Sequence, residues 1–205
     1  MPAFVLGNSP YLPVDDLWRL EAQFSIGVNR ILRSGFTPTV LLWVDHSVYG
    51  DDGKQIDESG ALLVCDASIR QRQYHIGLKT WVGDAALKHE STPTQLCVNA
   101  NTGVCAARWA LALGCRPVYL LGMEARYQDG RTNFYGDNRW HHRTAQDPGT
   151  VLGMTGSLRE LMLSHERDLR HVPDGEALAD VVEGLPEIDQ EELRCSLRTL
   201  LSGSS

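Results

Sequence analysis

Short apolar runs that break off abruptly at small or polar residues recur along this chain and constrain its fold. AFVL at residues 3–6 precedes Gly7-Asn8-Ser9-Pro10, TVLLWVD ends on Asp45, and PVYLLGME ends on Glu124. Apolar runs without polar alternation are typical of strands in parallel sheets that are covered on both faces. Helical patterns lie between these runs, so we predict an α/β fold with a mainly parallel sheet and helices on both faces.

Two of the helical patterns carry clear end signals. We predict a short helix in VDDLWRLEA with Asp15 or Asp16 as its N-cap. The pattern NTGVCAARWALALG is the clearest helix, because Asn101 or Thr102 can cap it and Gly114 can end it. Its apolar residues recur at helical spacing, which predicts a helix with a buried face.

The remaining segments give weaker signals. We predict an edge hairpin in the ambiguous stretch QRQYHIGLKTWVGD and a long functional loop over residues 125–149. A helix capped by Thr155 or Ser157 should follow that loop, and HVPDG should form a short strand and turn. The tail IDQEELRCSLRTLLSGSS predicts an amphipathic helix that packs on the domain or on another subunit.

Composition limits the protein class. The 205 residues are 42% hydrophobic and 22% charged, which suits one domain with a sizeable core. The formal net charge of -7 disfavours a nonspecific nucleic-acid binder, which needs clustered Lys and Arg. The five cysteines are scattered without CxxC spacing, which favours reduced thiols over disulfides or structural zinc. With no apolar run of about 20 residues and no signal-peptide pattern, we expect a cytoplasmic protein.

Polar, small or acidic residues follow most of the predicted strands. In open α/β sheets, ligands bind outside the carboxyl ends of the strands, so these tips are candidate site positions. Polar residues also commonly stop strands, and each tip taken alone is better explained that way. Six tips on one edge favour a binding site; they lie at residues 7–10, 29–30, 45–47, 65–66, 99–103 and 122–124.

The first tip and the start of the predicted long helix have the chemistry of a nucleotide site. Gly7 allows a tight turn or the close approach of a ligand, and the Asn8 amide can both donate and accept hydrogen bonds. Asn101, Thr102 and Gly103 stand at a helix start, which suits a phosphate or carboxylate, although simple capping explains them too. No G-x-G-x-x-G fingerprint follows the first strand and no GK[ST] occurs, which disfavours classical NAD and P-loop proteins.

The loop YQDGRTNFYGDNRWHHR holds the densest cluster of reactive side chains. Tyrosine hydroxyls can donate to phosphate oxygens, arginines can balance phosphate charge, and a histidine can act as a general base. Two adjacent histidines point in different directions, so at most one is expected to be catalytic. The residues concerned are Tyr127, Tyr135, Arg126, Arg131, Arg139, Arg143, His141 and His142.

Several of these motifs occur in the order and spacing of a known family. FVLGNSPYL, IGVNRI, NTGVCAARWALALGCRPVYLLGME and YQDGRTNFYGD together resemble the bacterial CMP-sialic-acid-dependent sialyltransferases of lipooligosaccharide synthesis. They are equally similar to the broader Rossmann-like group with motility-accessory-factor glycosyltransferases and 6-hydroxymethylpterin pyrophosphokinase-like proteins. The resemblance covers roughly residues 3–175 and implies a GT-A-like single domain.

The resemblance assigns roles to individual residues. It implies that Gly7-Asn8-Ser9-Pro10 contacts the nucleotide, with Ser9 where the family has glycine, and that Asn29 contacts it too. Thr102-Gly103 would lie near the donor phosphate or sugar, Tyr127 and Tyr135 would bind phosphate, and His141 or His142 would be the base. Together with the strand tips, the expected nucleotide- and donor-binding residues are Gly7, Asn8, Ser9, Asn29, Asp45, Asn101, Thr102, Gly103, Glu124 and Arg131.

These features predict a catalytic domain over residues 1–183 with a lid-like loop at about 125–150, then a helix and tail at 184–205. The expected activity is direct transfer of a sugar from a nucleotide-activated donor to an acceptor hydroxyl, with a histidine base. No metal is required, although magnesium at Asp45, Asp51 and Asp52 stays open. The expected partners are a nucleotide sugar and a glycan or other hydroxyl acceptor; a nucleic-acid acceptor is disfavoured, and the C-terminal helix could join two copies.

Two alternatives use the same scaffold. One is magnesium-dependent pyrophosphoryl or nucleotidyl transfer, with the metal held by Asp45 together with Asp66 or Glu124. The other is a nucleotide-binding protein without catalysis, because a fold alone does not determine function.

Overall fold

Eight strands form one sheet in the computed structural model, which describes residues 1–82, 90–98, 101–124, 133–136 and 148–202. Each pairing between neighbouring strands is parallel. All carboxyl ends of the strands therefore lie at one edge, as the sequence predicts. The strands are β1 (Ala3–Leu6), β2 (Ser25–Val28), β3 (Val40–Trp43), β4 (Leu62–Asp66), β5 (Ile76–Val82), β6 (Gln95–Val98), β7 (Val118–Leu121) and β8 (Leu169–His171).

The strand order is β6-β5-β4-β3-β2-β1-β7-β8, so the chain winds outward from β1 to β6 and then returns to the other side of β1. The connections carry five α-helices in the described part of the chain. These are α1 (His46–Glu58), α2 (Thr102–Ala112), α3 (Pro148–Ser164), α4 (Leu178–Val182) and α5 (Gln190–Ser202). Short 3-10 helices cover Val14–Leu20, Ile31–Ser34 and Ala67–Ile69.

Both faces of the sheet are covered, which confirms the predicted fold class. The four residues of β1 are fully buried and alternate between two apolar clusters, as side chains of a strand alternate between faces. The helices α2, α3 and α5 contribute to the cluster that contains Ala3 and Val5. The helices α1 and α4 and the 3-10 helices contribute to the cluster that contains Phe4 and Leu6.

The C-terminal helix α5 packs on the body of the domain. Leu197 and Leu201 are each 6% exposed and lie in the same cluster as Ala3 and Val5. At the start of the helix, the Gln190 amide donates to the Gln23 carbonyl and accepts from the Thr39 hydroxyl at 2.7 Å. No described helix is both long and apolar enough to cross a membrane.

Several local predictions are wrong. The helix in VDDLWRLEA is a 3-10 helix that begins at Val14 after Pro13, so Asp15 and Asp16 lie in its first turn and do not cap it. Pro13, with a φ of -75°, stands at the N-cap position, and no side chain caps this helix. The predicted edge hairpin is the single strand β5, which pairs in parallel with β4 and β6.

Two further boundaries differ from the sequence prediction. The helix predicted to be capped by Thr155 or Ser157 begins at Pro148, at the end of the predicted loop, because proline is favoured in the first turn of a helix. Helix α1 was not predicted, since Gly50, Gly53 and several acidic residues hide its sparse apolar positions. The predicted helix α2 is confirmed, with Asn101 as its cap.

Candidate functional site

The strand order reverses at β1 and β7, and this reversal marks the expected ligand crevice. The chain leaves β1 toward β2 on one side and leaves β7 toward β8 on the other. Loops that depart in opposite directions leave a crevice outside the carboxyl ends of the two strands, which is where ligands bind in such sheets. The predicted tips at residues 7–10 and 122–124 border this crevice.

Gly7 allows the two tips to touch. A Cβ atom at Gly7 would lie 2.2 Å from the Gly122 carbonyl oxygen, a distance that no side chain can tolerate. The backbones are joined by hydrogen bonds from the Gly7 amide to the Leu121 carbonyl at 2.8 Å and from the Ser9 amide to the Gly122 carbonyl at 3.0 Å. Gly122 itself has a φ of +64°, which favours glycine. Gly7 therefore serves close backbone packing between β1 and β7.

Two asparagines at adjacent tips carry buried amide oxygens without a partner. Asn8 follows β1 and donates from Nδ2 to the Val28 carbonyl at 3.1 Å, while its Oδ1 is buried and accepts nothing from the described residues. Asn29 follows β2 in the left-handed region, with a φ of 51°, and its Oδ1 is likewise buried and unpartnered there. Leaving a buried acceptor unpaired costs about 1–3 kcal/mol, so such atoms point to a ligand or to water.

The start of helix α2 is held against the β7 tip. The Asn101 side chain accepts from the Val104 amide at 2.7 Å, and its carbonyl accepts from Cys105. Gly103 is buried, and a Cβ there would lie 2.7 Å from the Met123 Cε. Asn101 therefore caps the helix, which is the alternative that the sequence left open for it. The helix start at Thr102 and Gly103 borders the crevice. The backbone amides there remain suited to an anion.

Glu124 follows β7 and meets His171 at the end of β8. The Glu124 side chain is 5% exposed, and its Oε1 lies 3.7 Å from Nε2 of His171, whose side chain is 27% exposed. Burial alone would raise the pKa of Glu124, but interactions with His171, Ser9 and its own backbone amide hold that pKa below its usual value. Glu124 Oε2 and His171 Nε2 are buried without a standard hydrogen bond to the described residues. A charged carboxylate therefore lies beside the crevice.

His171 is a residue that the sequence analysis gave no role. It was read only as the start of a short strand and turn, whereas it is the last residue of β8. The rule that polar residues at strand ends mark the ligand edge would have found it as a seventh tip. The predicted strand was so short and so close to Pro173 that its end was not counted among the strand tips.

Residues 133–136 lie over the tips of β1 and β2. The Phe134 amide donates to the Asn8 carbonyl at 3.1 Å. Arg33 stacks on the Tyr135 ring, with 5.0 Å between the guanidinium carbon and the ring centre. Burial raises the pKa of the Tyr135 hydroxyl, although Arg30 and Arg33 oppose it, so this hydroxyl keeps its proton. The structure thus places residues 133–136 against the turn after β1 and the Tyr135 ring against Arg33.

Arg30 is buried at the β2 tip and is held by helix α1. It is 4% exposed, forms an ion pair with Asp51 and lies 3.4 Å from an oxygen of Asp52. Arg33 also pairs with Asp52, at 2.7 Å. These two arginines and two aspartates balance in charge. Asp51 and Asp52 are therefore engaged with arginines.

Asp45 and Asp66 serve as local caps. Asp45 is exposed and accepts from the Ser47 amide at 2.8 Å at the start of α1. Asp66 accepts from the Ser68 amide at 2.8 Å and from the Thr80 hydroxyl. Strands lie about 4.8 Å apart, so the β3 and β7 tips are separated by roughly 14 Å. Glu124 therefore cannot share one metal ion with Asp45 or with the more distant Asp66.

A cavity of about 210 Å³ opens beside Gly122, between the turn after β1 and the turn after β8. Its walls include Tyr11, Leu12, Val172 and Asp174. The cavity therefore adjoins the crevice at the strand reversal.

Part of the predicted site lies outside the described residues. These residues are one of the two predicted phosphate-binding tyrosines, both candidate bases and the arginines of the loop: Tyr127, His141, His142, Arg126, Arg131, Arg139 and Arg143. Their assignments stay predictions.

No family model matches this chain, and no curated protein matches it either. Among solved structures, the sialyltransferase CstII from Campylobacter jejuni with the substrate analogue cytidine-5'-monophosphate is similar at 15% identity and a TM-score of 0.48, over 87% of this chain and 82% of that one. A CstII complex with a trisaccharide acceptor and CMP is similar at 14% identity and a TM-score of 0.47, over 92% and 87%. The CstII complex with CMP-3FNeuAc is similar at 15% identity and a TM-score of 0.46, over 91% and 86%.

Proposed function

We propose that this chain is a glycosyltransferase that moves a sugar from a nucleotide-activated donor directly to an acceptor hydroxyl. The observation that carries the proposal is the pair of buried amide oxygens of Asn8 and Asn29, which have no hydrogen-bond partner among the residues that the structure describes. They follow adjacent strands and lie beside the crevice where the strand order reverses. A site of this kind is built to receive hydrogen-bond donors from a ligand.

A nucleoside supplies the donors that these oxygens lack. Ribose hydroxyls and the exocyclic amines of cytosine, adenine and guanine can each donate to an amide oxygen. The Asn8 Nδ2 group is already used by the Val28 carbonyl, so Asn8 offers the ligand an acceptor. We therefore assign the nucleoside to the tips of β1 and β2, beneath residues 133–136.

The phosphate of the donor would lie toward helix α2. The backbone amides at Thr102 and Gly103 and the positive end of the helix dipole favour an anion there. The Tyr135 hydroxyl, which keeps its proton because burial raises its pKa, can donate to a phosphate oxygen. Tyr127 and Arg131 would add to this set, as the sequence resemblance implies.

The proposed step forms one bond and breaks one bond. A histidine takes the proton of the acceptor hydroxyl, and the acceptor oxygen forms a bond to the anomeric carbon of the sugar. The bond from that carbon to the donor phosphate breaks, and the phosphate leaves with the bonding electrons. The sequence resemblance assigns the base to His141 or His142. We place the acceptor, a glycan or another hydroxyl compound, in the cavity beside Gly122.

Hydroxyl and amide donors stabilise a leaving phosphate without a metal, so the proposed transfer requires no cofactor. The carboxylates considered for magnesium have other partners: Asp45 and Asp66 accept from backbone amides, and Asp51 and Asp52 pair with arginines. This arrangement favours sugar transfer over magnesium-dependent pyrophosphoryl or nucleotidyl transfer.

The test is a thermal-shift screen of CMP, UMP, UDP, GDP, ADP and ATP, each with and without magnesium. CMP comes first because the CstII structures contain it. A ligand at about 100 times its Kd adds about 2.7 kcal/mol of stability. The Asn29→Gly variant keeps a residue suited to the φ of 51° and removes the amide, so it should fold normally and lose the shift. Gln73→Ala, on the exposed loop before β5, is the control and should keep the shift.

Metal-independent stabilisation by one nucleotide, lost in Asn29→Gly, supports the proposal. Stabilisation by ATP only with magnesium would favour phosphoryl chemistry instead. Tight nucleotide binding without transfer of sugar from the matching donor to any hydroxyl acceptor would indicate a nucleotide-binding protein. No shift with any nucleotide would contradict the proposed site.

A further inference from the structure

Phe134 and Tyr135 attach residues 133–136 to the domain in different ways. The Phe134 amide donates to the Asn8 carbonyl at 3.1 Å, and the Phe134 ring packs against the apolar cluster on one face of the sheet. Tyr135 contacts a charged group, because the Arg33 guanidinium lies over its ring, with 5.0 Å between the guanidinium carbon and the ring centre. A cation at this distance is attracted to the face of an aromatic ring. Arg33 is therefore a direct support of the Tyr135 ring.

Arg33 is itself held by helix α1. Its Nε and Nη2 both donate to Oδ1 of Asp52, at 3.1 Å and 2.7 Å. Two donors on one carboxylate oxygen fix the plane of the guanidinium as well as its position. The side chains of Arg33 and Asp52 are 30% and 12% exposed, so water and salt screen this pair less than a fully exposed one. Helix α1 thus sets the plane on which the Tyr135 ring rests.

A second arginine holds the other oxygen of Asp52. Nε of Arg30 lies 3.4 Å from Oδ2 of Asp52, and the Arg30 side chain is 3% exposed. Arg30 also pairs with Asp51 and donates to the Ser47 hydroxyl at 3.3 Å. If Asp52 turned away from Arg33, a buried cation would lose part of its compensating charge, which is unfavourable. Asp52 therefore has a defined orientation between two arginines.

Stacking on Arg33 orients Tyr135 and leaves its hydroxyl proton available. The guanidinium contacts the face of the ring, whereas the hydroxyl lies in the plane of the ring. A guanidinium has hydrogen-bond donors and no acceptor, so it cannot take the proton of the Tyr135 hydroxyl. The hydroxyl can therefore donate to a ligand while the ring stays on Arg33.

We propose that Arg33 is a positioning residue for the nucleotide site: fixed by Asp52, it stacks on Tyr135 and sets the direction of the Tyr135 hydroxyl. The inference rests on the proposed function for what this hydroxyl does, which is to donate to the leaving phosphate. The placement of residues 133–136 by Arg33 can be measured without any ligand.

The first measurement is amide hydrogen exchange by NMR in wild type and Arg33→Lys. Lysine keeps the charge, but its ammonium is a point charge on a flexible stem and offers no flat group to the ring. Exchange at Phe134 and Gly136, whose amides bond to backbone carbonyls at 3.1 Å, should rise by about tenfold in Arg33→Lys. Exchange at Phe4, within strand β1, should not change.

Arg19→Lys is the matched control. Arg19 also stacks on an aromatic ring, 4.4 Å from the centre of Trp18, and lies 3.3 Å from an oxygen of Asp16. Its side chain is 34% exposed, close to the 30% of Arg33. The same substitution at this place should leave both amide exchange in residues 133–136 and the rate of sugar transfer unchanged.

The second measurement is sugar transfer from the donor that matches the nucleotide found in the screen, at a temperature where all variants are folded. Arg33→Lys should lower kcat by about tenfold and change KM little, because the hydroxyl acts on charge that develops as the phosphate leaves. In a Tyr135→Phe background, Arg33→Lys should cause little further loss, since the hydroxyl that it positions is absent. A role of Arg33 in stability alone would lower the melting temperature and leave kcat unchanged.

The outcomes separate the placement of Tyr135 from its chemistry. Faster exchange at Phe134 and Gly136, with a loss of kcat that depends on the Tyr135 hydroxyl, supports the proposal. Unchanged exchange in Arg33→Lys overturns it, whether or not the protein transfers sugar. An equal loss of kcat with and without the hydroxyl overturns the link to Tyr135. Faster exchange in a protein that transfers no sugar supports the placement by Arg33 and contradicts the proposed function.

Discussion

Single residues decide how closely the strand tips approach one another. Gly7 and Gly103 each leave room that a Cβ atom would fill, the first against Gly122 and the second against Met123. Met123 lies between the two contacts, so the turn after β1 and the start of α2 converge on the end of β7. At this edge, small residues bring the backbones together, and the buried side-chain oxygens of Asn8 and Asn29 have no hydrogen-bond partner among the described residues.

Tyr135→Phe tests the chemical role of one hydroxyl. The ring would keep its contacts with Arg33 and Phe134, so the fold and the melting temperature should change little. If the hydroxyl stabilises the leaving phosphate, kcat should fall by about a hundredfold. The measurement is turnover of the nucleotide sugar that matches the nucleotide found in the screen.

Tyr74→Phe is the matched control, since Tyr74 is 54% exposed and contacts His75, away from the crevice. It should leave kcat unchanged. Equal turnover in Tyr135→Phe and wild type would remove Tyr135 from the proposed mechanism.

The sequence predicted which residues lie at the carboxyl edge of the sheet better than it predicted the partners of each side chain. Residues 7–10, 29 and 122–124 were identified because polar residues follow apolar runs, a local pattern that a parallel sheet gathers at one edge. The capping of α1 by Asp45 and the pairing of Arg30 with Asp51 depend on α1, a helix that its glycines concealed. Contacts that join distant segments, such as Glu124 with His171, leave no local pattern to read.

At the scale of elements, a polar cluster of Tyr49, Asp57, Arg72 and His75 joins α1 to the loop before β5. Asp57 on α1 lies 3.3 Å from Nε2 of His75, which is 1% exposed, and accepts from the Tyr49 hydroxyl at 2.9 Å. Arg72 donates to the Tyr49 hydroxyl at 2.8 Å. The cluster lies apart from the crevice, and we expect it to act on stability.

The cluster predicts a pH dependence of the unfolding free energy. Burial lowers the pKa of His75 below its ordinary 6.5, and Asp57 opposes this only in part. As the pH falls, His75 therefore binds its proton at a higher pH in the unfolded chain than in the folded chain. The free energy of unfolding has its full value above about pH 6.5 and decreases as the pH drops below it. One proton limits the slope to about 1.4 kcal/mol per pH unit.

Urea unfolding of wild type and His75→Gln between pH 5 and 8 measures this slope. The variant should lose the part of the slope that His75 causes, while Gln73→Ala in the same loop should keep it. Burial would raise the pKa of Asp57, but hydrogen bonds from Tyr74, Tyr49, His75 and Arg72 hold that pKa below 3.8. The contribution of Asp57 to the free energy of unfolding is therefore lost only at more acidic pH. Equal slopes in wild type and His75→Gln would show that His75 does not titrate on unfolding.

At the scale of the whole molecule, the last helix and the first strand pack in the same apolar cluster. Leu197 and Leu201 lie in one apolar cluster with Ala3 and Val5 of β1, although they are almost two hundred residues apart. The link from Gln190 to Thr39 and Gln23 joins the helix to the edge of the sheet opposite the crevice. The amphipathic pattern predicted such a helix. That pattern does not tell whether the apolar face packs on this domain or on a second copy of the chain.

Leu201→Ala tests whether α5 is part of the cooperative unit. Removing a buried leucine side chain typically destabilises a domain by about 2–4 kcal/mol, through lost burial and the cavity left behind. The neighbouring Leu200 is 48% exposed, so Leu200→Ala should cost well under about 1 kcal/mol and serves as the matched control. Urea unfolding should give one transition, with a lower midpoint in Leu201→Ala alone. Equal midpoints for the two variants, or a separate early transition, would mean that the helix is an appendage to a core that is stable without it.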